Sequence, residues 1–93
     1  MIRIAICDDE KKILDEVSGY IKNYAEKKSK EIEVFRFDSA ASLIGTLEEG
    51  RTFDVFVLDV YIGRCDKLYR KIRRSSPRSP CIQRTRLYLQ RLA

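Results

Sequence analysis

Ninety-three residues, 44% apolar and 35% charged, allow one globular domain with a modest core; apolar runs such as Val55–Leu58 are too short to span a bilayer, and Met1-Ile2-Arg3-Ile4 lacks a secretion signal's apolar stretch. No histidine is present, and Cys7, Cys65 and Cys81 are far apart, which argues against a structural zinc site and excludes nucleophile pairs that need histidine. The net charge of +5 is unevenly spread: residues 1–63 hold nine Lys/Arg against thirteen Asp/Glu, whereas residues 64–93 hold ten against the single acid Asp66.

Ile2, Ile4, Ala5, Ile6 and Cys7 form an apolar run that stops at Asp8-Asp9-Glu10, which predicts a buried strand over about residues 2–7. A helix is expected next, over about residues 10–28, with an aspartate as its cap. Its apolar face is Ile13, Leu14, Val17, Tyr20, Ile21, Tyr24 and Ala25, and Lys27-Lys28 suit its negative pole. Ile32, Val34, Phe35 and Phe37 predict a second strand. Asp38-Ser39 is a start signal for a second helix carrying Ala40, Leu43, Ile44 and Leu47, and Gly50 suits a left-handed stop. Phe53 and then Val55-Phe56-Val57-Leu58 lead up to Asp59. A run without alternation indicates a strand covered on both faces, hence central in a parallel sheet.

Strand, helix, strand, helix, strand with these connections predicts a doubly wound α/β sheet. Beyond Gly63 the pattern weakens. Leu68, Tyr69 and Ile72 could share one side of a helix over about residues 66–74, broken by Ser75-Ser76-Pro77. Pro80-Cys81-Ile82 could open a fourth strand, although Gln83 and Arg84 follow where a buried strand would be apolar. Leu87, Leu89 and Leu92 could make a last helical turn.

In open α/β sheets ligands bind beyond the carboxyl ends of the strands. Asp8 and Asp9 end one such strand and Asp59 another, expected to be its neighbour. Three crowded carboxylates repel one another and call for a cation. An all-oxygen site suits Mg²⁺ better than a soft metal. The plain alternative is that each aspartate merely caps a helix. That alternative weakens when all three close apolar strands.

Two segments carry a family resemblance. Ile4-Ala5-Ile6-Cys7-Asp8-Asp9-Glu10 resembles the opening of bacterial response-regulator receiver domains. Phe53-Asp54-Val55-Phe56-Val57-Leu58-Asp59-Val60 resembles their third strand with its phosphoacceptor. Both are most similar to receivers that precede LytTR-type DNA-binding domains. The resemblance implies a flavodoxin-like receiver fold, here incomplete at about three and a half of five strand–helix units. It also implies a partial receiver over residues 1–85 followed by a basic tail over 86–93. By the same resemblance, Asp59 takes a phosphoryl group from a sensor histidine kinase. Asp9 binds Mg²⁺ directly and Asp8 through water, and Tyr61 lends its backbone carbonyl to the metal. Thr85 falls where the family has its switch Ser/Thr, with an exposed loop threonine as the alternative. The chain would then be a signalling phosphoacceptor rather than an enzyme. It would be cytoplasmic, and would reach DNA only through an effector domain that does not follow in these 93 residues.

The resemblance is specific over residues 1–63, patchy over 64–85 and fails beyond. The family's lysine at the end of strand five has no counterpart, and the basic end reads as a frameshifted, spliced or truncated one. Without the fifth helix, which in this fold lies beside the first, part of the apolar stripe of the first helix is expected to be uncovered. The chain is therefore expected to be a homodimer or marginally folded. Two other functions compete. One is a basic nucleic-acid-binding module using the arginine-rich end with Tyr69 and Tyr88; against it stands a solvated or poorly folded tail. The other is a small Mg²⁺-dependent phosphohydrolase, which would also use strand-end aspartates, although Asp8-Asp9 lacks a second aspartate two residues on.

Overall fold

A computed structural model describes residues 1–59, 62 and 65–84, with Arg84 described by its backbone alone. The expectations for Tyr61, for Thr85 and for residues 86–93 fall outside the described residues.

The elements alternate as the apolar runs predict: β1 (Ile2–Cys7), α1 (Lys11–Lys27), β2 (Ile32–Phe37), α2 (Ala40–Glu48), β3 (Val55–Asp59), α3 (Asp66–Ser75) and β4 (Cys81–Arg84). The four strands are all parallel, in the order β2-β1-β3-β4. This is a flavodoxin-like, incomplete doubly wound α/β fold.

Side chains alternate across the sheet with the period of a strand, and each face builds its own core. On one face Ala5, Cys7, Phe56 and Leu58 meet Leu43, Ile44 and Leu47 of α2 and Leu68 and Ile72 of α3. On the other, Ile6 and Val57 meet Ile13, Leu14 and Val17 of α1. Among the described residues, one helix thus serves one face and two serve the other. The ring of Phe53 packs edge-on against Phe35, Phe37 and Phe56, with centroids 5.2, 5.8 and 5.7 Å away.

Local signals act where the sequence places them. The Ser39 hydroxyl accepts the Ser42 N–H at 3.1 Å and caps α2. Gly50 takes φ +93°, and its N–H returns to the Leu47 carbonyl at 3.1 Å. One expectation is corrected: the N-cap of α1 is Glu10, not an aspartate, and it makes no side-chain cap bond. The strand containing Phe53 also begins later than the apolar pattern implies, at Val55. Asp54 explains why. Its N–H donates to the Arg3 carbonyl and its carboxylate accepts the Arg3 N–H, both at 2.8 Å, which fixes the entry of β3 against β1.

The polar fourth strand forms at the edge of the described sheet. Cys81, Ile82, Gln83 and Arg84 pair with Phe56, Val57, Leu58 and Asp59. An edge strand has one paired side and a partly solvated face, so Gln83 is exposed there at little cost. Arg73 secures its approach. Its guanidinium donates to the carbonyls of Pro77 (3.1 Å) and Ser79 (2.6 Å), contacts Cys81 Sγ at 2.9 Å, and lies over the Tyr69 ring. The Ser79 hydroxyl donates to the Phe53 carbonyl at 2.6 Å. At least one arginine of the basic end is thus part of the packed structure.

Candidate metal site at the carboxyl ends of β1 and β3

The pairing register builds the site. Cys7 is the partner of Leu58, so Asp8 and Asp59, each one residue further on, leave neighbouring strands at the same level. Asp9 follows directly. One carboxylate oxygen from each of Asp8, Asp9 and Asp59 lies within 4.8 Å of the other two. Parallel strands carry the three acids to one edge of the sheet although 50 positions separate Asp9 from Asp59 in the chain.

The three differ in surroundings. Asp8 is 4% exposed, Asp59 is half-buried and Asp9 is exposed. Asp8 is held in place from both sides: its N–H donates to the Phe37 carbonyl at 3.0 Å, and its Oδ1 accepts the Glu10 N–H at 2.8 Å. That second bond closes a short turn between β1 and α1. It orients the carboxylate and partly satisfies it, which a buried acid requires.

The capping alternative fails on geometry. Glu10 caps α1, and the N-cap of α3 is Cys65, six residues past Asp59. Glu10, two residues after Asp8, is not among the acids that converge. Nor is Asp38, which leaves β2 beside Asp8 in the ladder. The expected cluster is therefore the observed one. Sequence reasoning missed Arg84, which is the ladder partner of Asp59. Its polarity counted against a strand, and no local signal reveals a pairing across 25 positions.

Three hard oxygen donors, one exposed and two less so, could hold a metal ion that keeps some of its water. Thiols take no part: Cys7 is buried within the core on one sheet face, and Cys65 and Cys81 pack against that same core. No helix among the described residues is long and apolar enough to cross a membrane. Neither a scan against protein-family models nor a search of curated proteins yields a match to this chain.

Proposed function

We propose that this chain is the phosphoacceptor part of a two-component response regulator, with Asp59 as the nucleophile. The convergence of Asp8, Asp9 and Asp59 at the carboxyl edge of a parallel sheet carries this reading. The sequence resemblance of residues 4–10 and 53–60 to receiver domains supports it independently.

Phosphoryl transfer asks more for positioning and charge neutralisation than for a strong base, which fits a site without histidine. Asp59 sits at the end of a central strand, so the packed core holds its backbone rigidly. Its carboxylate oxygen attacks the phosphorus of the donor, a phosphohistidine of a sensor kinase. The donor's P–N bond breaks, and a mixed anhydride forms on Asp59. Asp8, Asp9 and Asp59 are the side chains that would hold Mg²⁺, and a bound Mg²⁺ would offset the repulsion between the carboxylate and the phosphoryl oxygens. Asp8, fixed by the Glu10 N–H, supplies the buried anchor; the exposed Asp9 leaves the site open to a donor.

Incubation with acetyl phosphate and Mg²⁺, followed by intact-mass analysis, tests the proposal. A stable adduct of one phosphoryl group is expected. Rapid donor turnover without an adduct would point to a phosphohydrolase instead, and no reaction at all would remove the phosphoacceptor reading for this chain.

A further inference from the structure

The ladder continues the aspartate edge onto a third strand. Asp59 is paired with Arg84, as Val57 is with Ile82. Residues paired across a parallel ladder share a face of the sheet, and so do residues two apart on one strand. Ile6 and Val57 are ladder partners and belong to the face packed by α1. Asp8, Asp59 and Arg84 are the positions two residues beyond Ile6, Val57 and Ile82. They therefore stand side by side on one face, at the carboxyl ends of β1, β3 and β4, with neighbouring strands roughly 4.8 Å apart.

The acids need what Arg84 carries. Asp8 is 4% exposed and Asp59 half-buried, and Asp9 brings a third carboxylate within 4.8 Å of both. Withdrawing carboxylates from water is costly unless opposite charge and hydrogen bonds compensate them. The Glu10 N–H gives Asp8 a hydrogen bond but no net charge. Arg36 of β2, on the far side of β1, is committed to Asp15 of α1. Arginine stays charged at any physiological pH, and its planar fork can serve two carboxylate oxygens at once.

We propose that Arg84 is the resident counter-ion of the aspartate site, balancing the carboxylates until a divalent cation displaces it. The inference rests on the three aspartates being a cation site; it does not require Asp59 to accept a phosphoryl group. A guanidinium and a divalent ion beside the same carboxylates repel each other, so Arg84 lowers the affinity of the site for metal. By linkage, bound metal loosens the attraction between Arg84 and the acids by the same factor. Occupation of the site is thereby coupled to the carboxyl end of the edge strand β4.

Calorimetric titration of the whole chain with MgCl₂ tests the proposal. Arg84→Gln should raise the affinity for Mg²⁺ by about threefold or more, since a unit charge a few ångströms from a divalent ion is felt even through water. Arg84→Lys keeps the charge and should stay close to the unaltered chain. Arg51→Gln makes the same change in net charge on an exposed residue ahead of β3, at the amino ends of the strands, and should have little effect. Should Arg84→Gln fail to fold by circular dichroism, Arg84→Met replaces it. Urea unfolding in EDTA gives a second readout that needs no metal. Removing the Arg84 charge should lower the urea midpoint more in the unaltered chain than in Asp59→Asn, as expected of an interacting pair. Mg²⁺ binding that Arg84→Gln leaves unchanged would overturn the counter-ion while the aspartate site stands. An equal gain from Arg51→Gln, or equal midpoint shifts in the two backgrounds, would also overturn it. No Mg²⁺ binding by either the unaltered chain or Arg84→Gln would overturn the counter-ion and the cation site together.

Discussion

Asp8 and Asp59 leave adjacent parallel strands at the same level, because the last paired residues before them, Cys7 and Leu58, are ladder partners. A one-residue slip of β3 against β1 would break this juxtaposition. It would also turn Phe56 and Leu58 away from the core they share with Ala5 and Cys7. The packing that stabilises the sheet is therefore the same packing that assembles the three carboxylates.

The acid cluster should bind Mg²⁺ in a charge-dependent way. Asp8→Asn keeps an oxygen able to accept the Glu10 N–H but removes the charge, so the fold should survive while Mg²⁺ binding weakens. Asp8→Ala loses the bond as well and should cost a further 1–3 kcal/mol or so of stability. Calorimetric titration with MgCl₂, paired with urea unfolding of each variant, separates the two effects. Unchanged Mg²⁺ affinity in Asp8→Asn, Asp9→Asn and Asp59→Asn alike would dismiss the metal site.

Labelling by a phosphodonor should depend on Asp59 absolutely and on Asp8 and Asp9 in degree. Asp59→Asn is expected to abolish the adduct, and Asp8→Asn to slow its formation. An adduct formed undiminished on the Asp59→Asn protein would place the phosphoacceptor elsewhere.

Phe53 is nearly fully buried outside any strand and touches three other rings edge-on. Its truncation to alanine removes all three contacts and leaves a cavity. The expected cost is about 3–5 kcal/mol, a large part of the stability of a small domain. A urea midpoint shifted by less than a third of this amount would show that the cluster relaxes around the loss.

Arg73 holds the turn between α3 and β4 through two carbonyls and the Tyr69 ring. Arg73→Lys keeps the charge but has no fork to serve two acceptors at once. We expect destabilisation by about 1–3 kcal/mol and faster amide exchange in Cys81–Arg84 than in β1. Protection in β4 equal to that of the unaltered chain would mean that the strand needs no such anchor.

Among the described residues, the sheet face packed by α1 keeps several apolar side chains partly exposed. Tyr20 and Ile21 are half-buried, Tyr24 is 54% exposed, and Ile82 on β4 is 38% exposed. An edge strand beside uncovered apolar groups invites pairing with a second copy. Sedimentation should show concentration-dependent dimers, weakened by Tyr24→Lys or Ile82→Lys, or else a low and poorly cooperative melt. A monomer that melts cooperatively at high temperature would contradict this expectation.

The sequence alone determined the order of β1, α1, β2, α2 and β3, and the limits of β1, α1 and β2 to within about a residue, because apolar periodicity records which positions are buried. Ser39 and Gly50 marked the ends of α2 for equally local reasons: a hydroxyl that caps, and a residue at ease with positive φ. The strand-end positions of Asp8, Asp9 and Asp59 were legible too, as was their expected meeting at one edge. Only the tertiary structure decided what depends on pairing between distant segments. It decided that Cys81–Arg84 forms a strand despite its polar half, since an edge position tolerates side chains that a central one would exclude. It decided that Arg73, one cation among many in the sequence, is a structural anchor, whereas Lys67, Arg70 and Arg74 remain outward. It decided, finally, that Glu10 rather than an aspartate begins α1, leaving Asp8 to face Asp59. Local periodicity reports burial, but neighbours across a sheet are set by the register that best packs both of its faces.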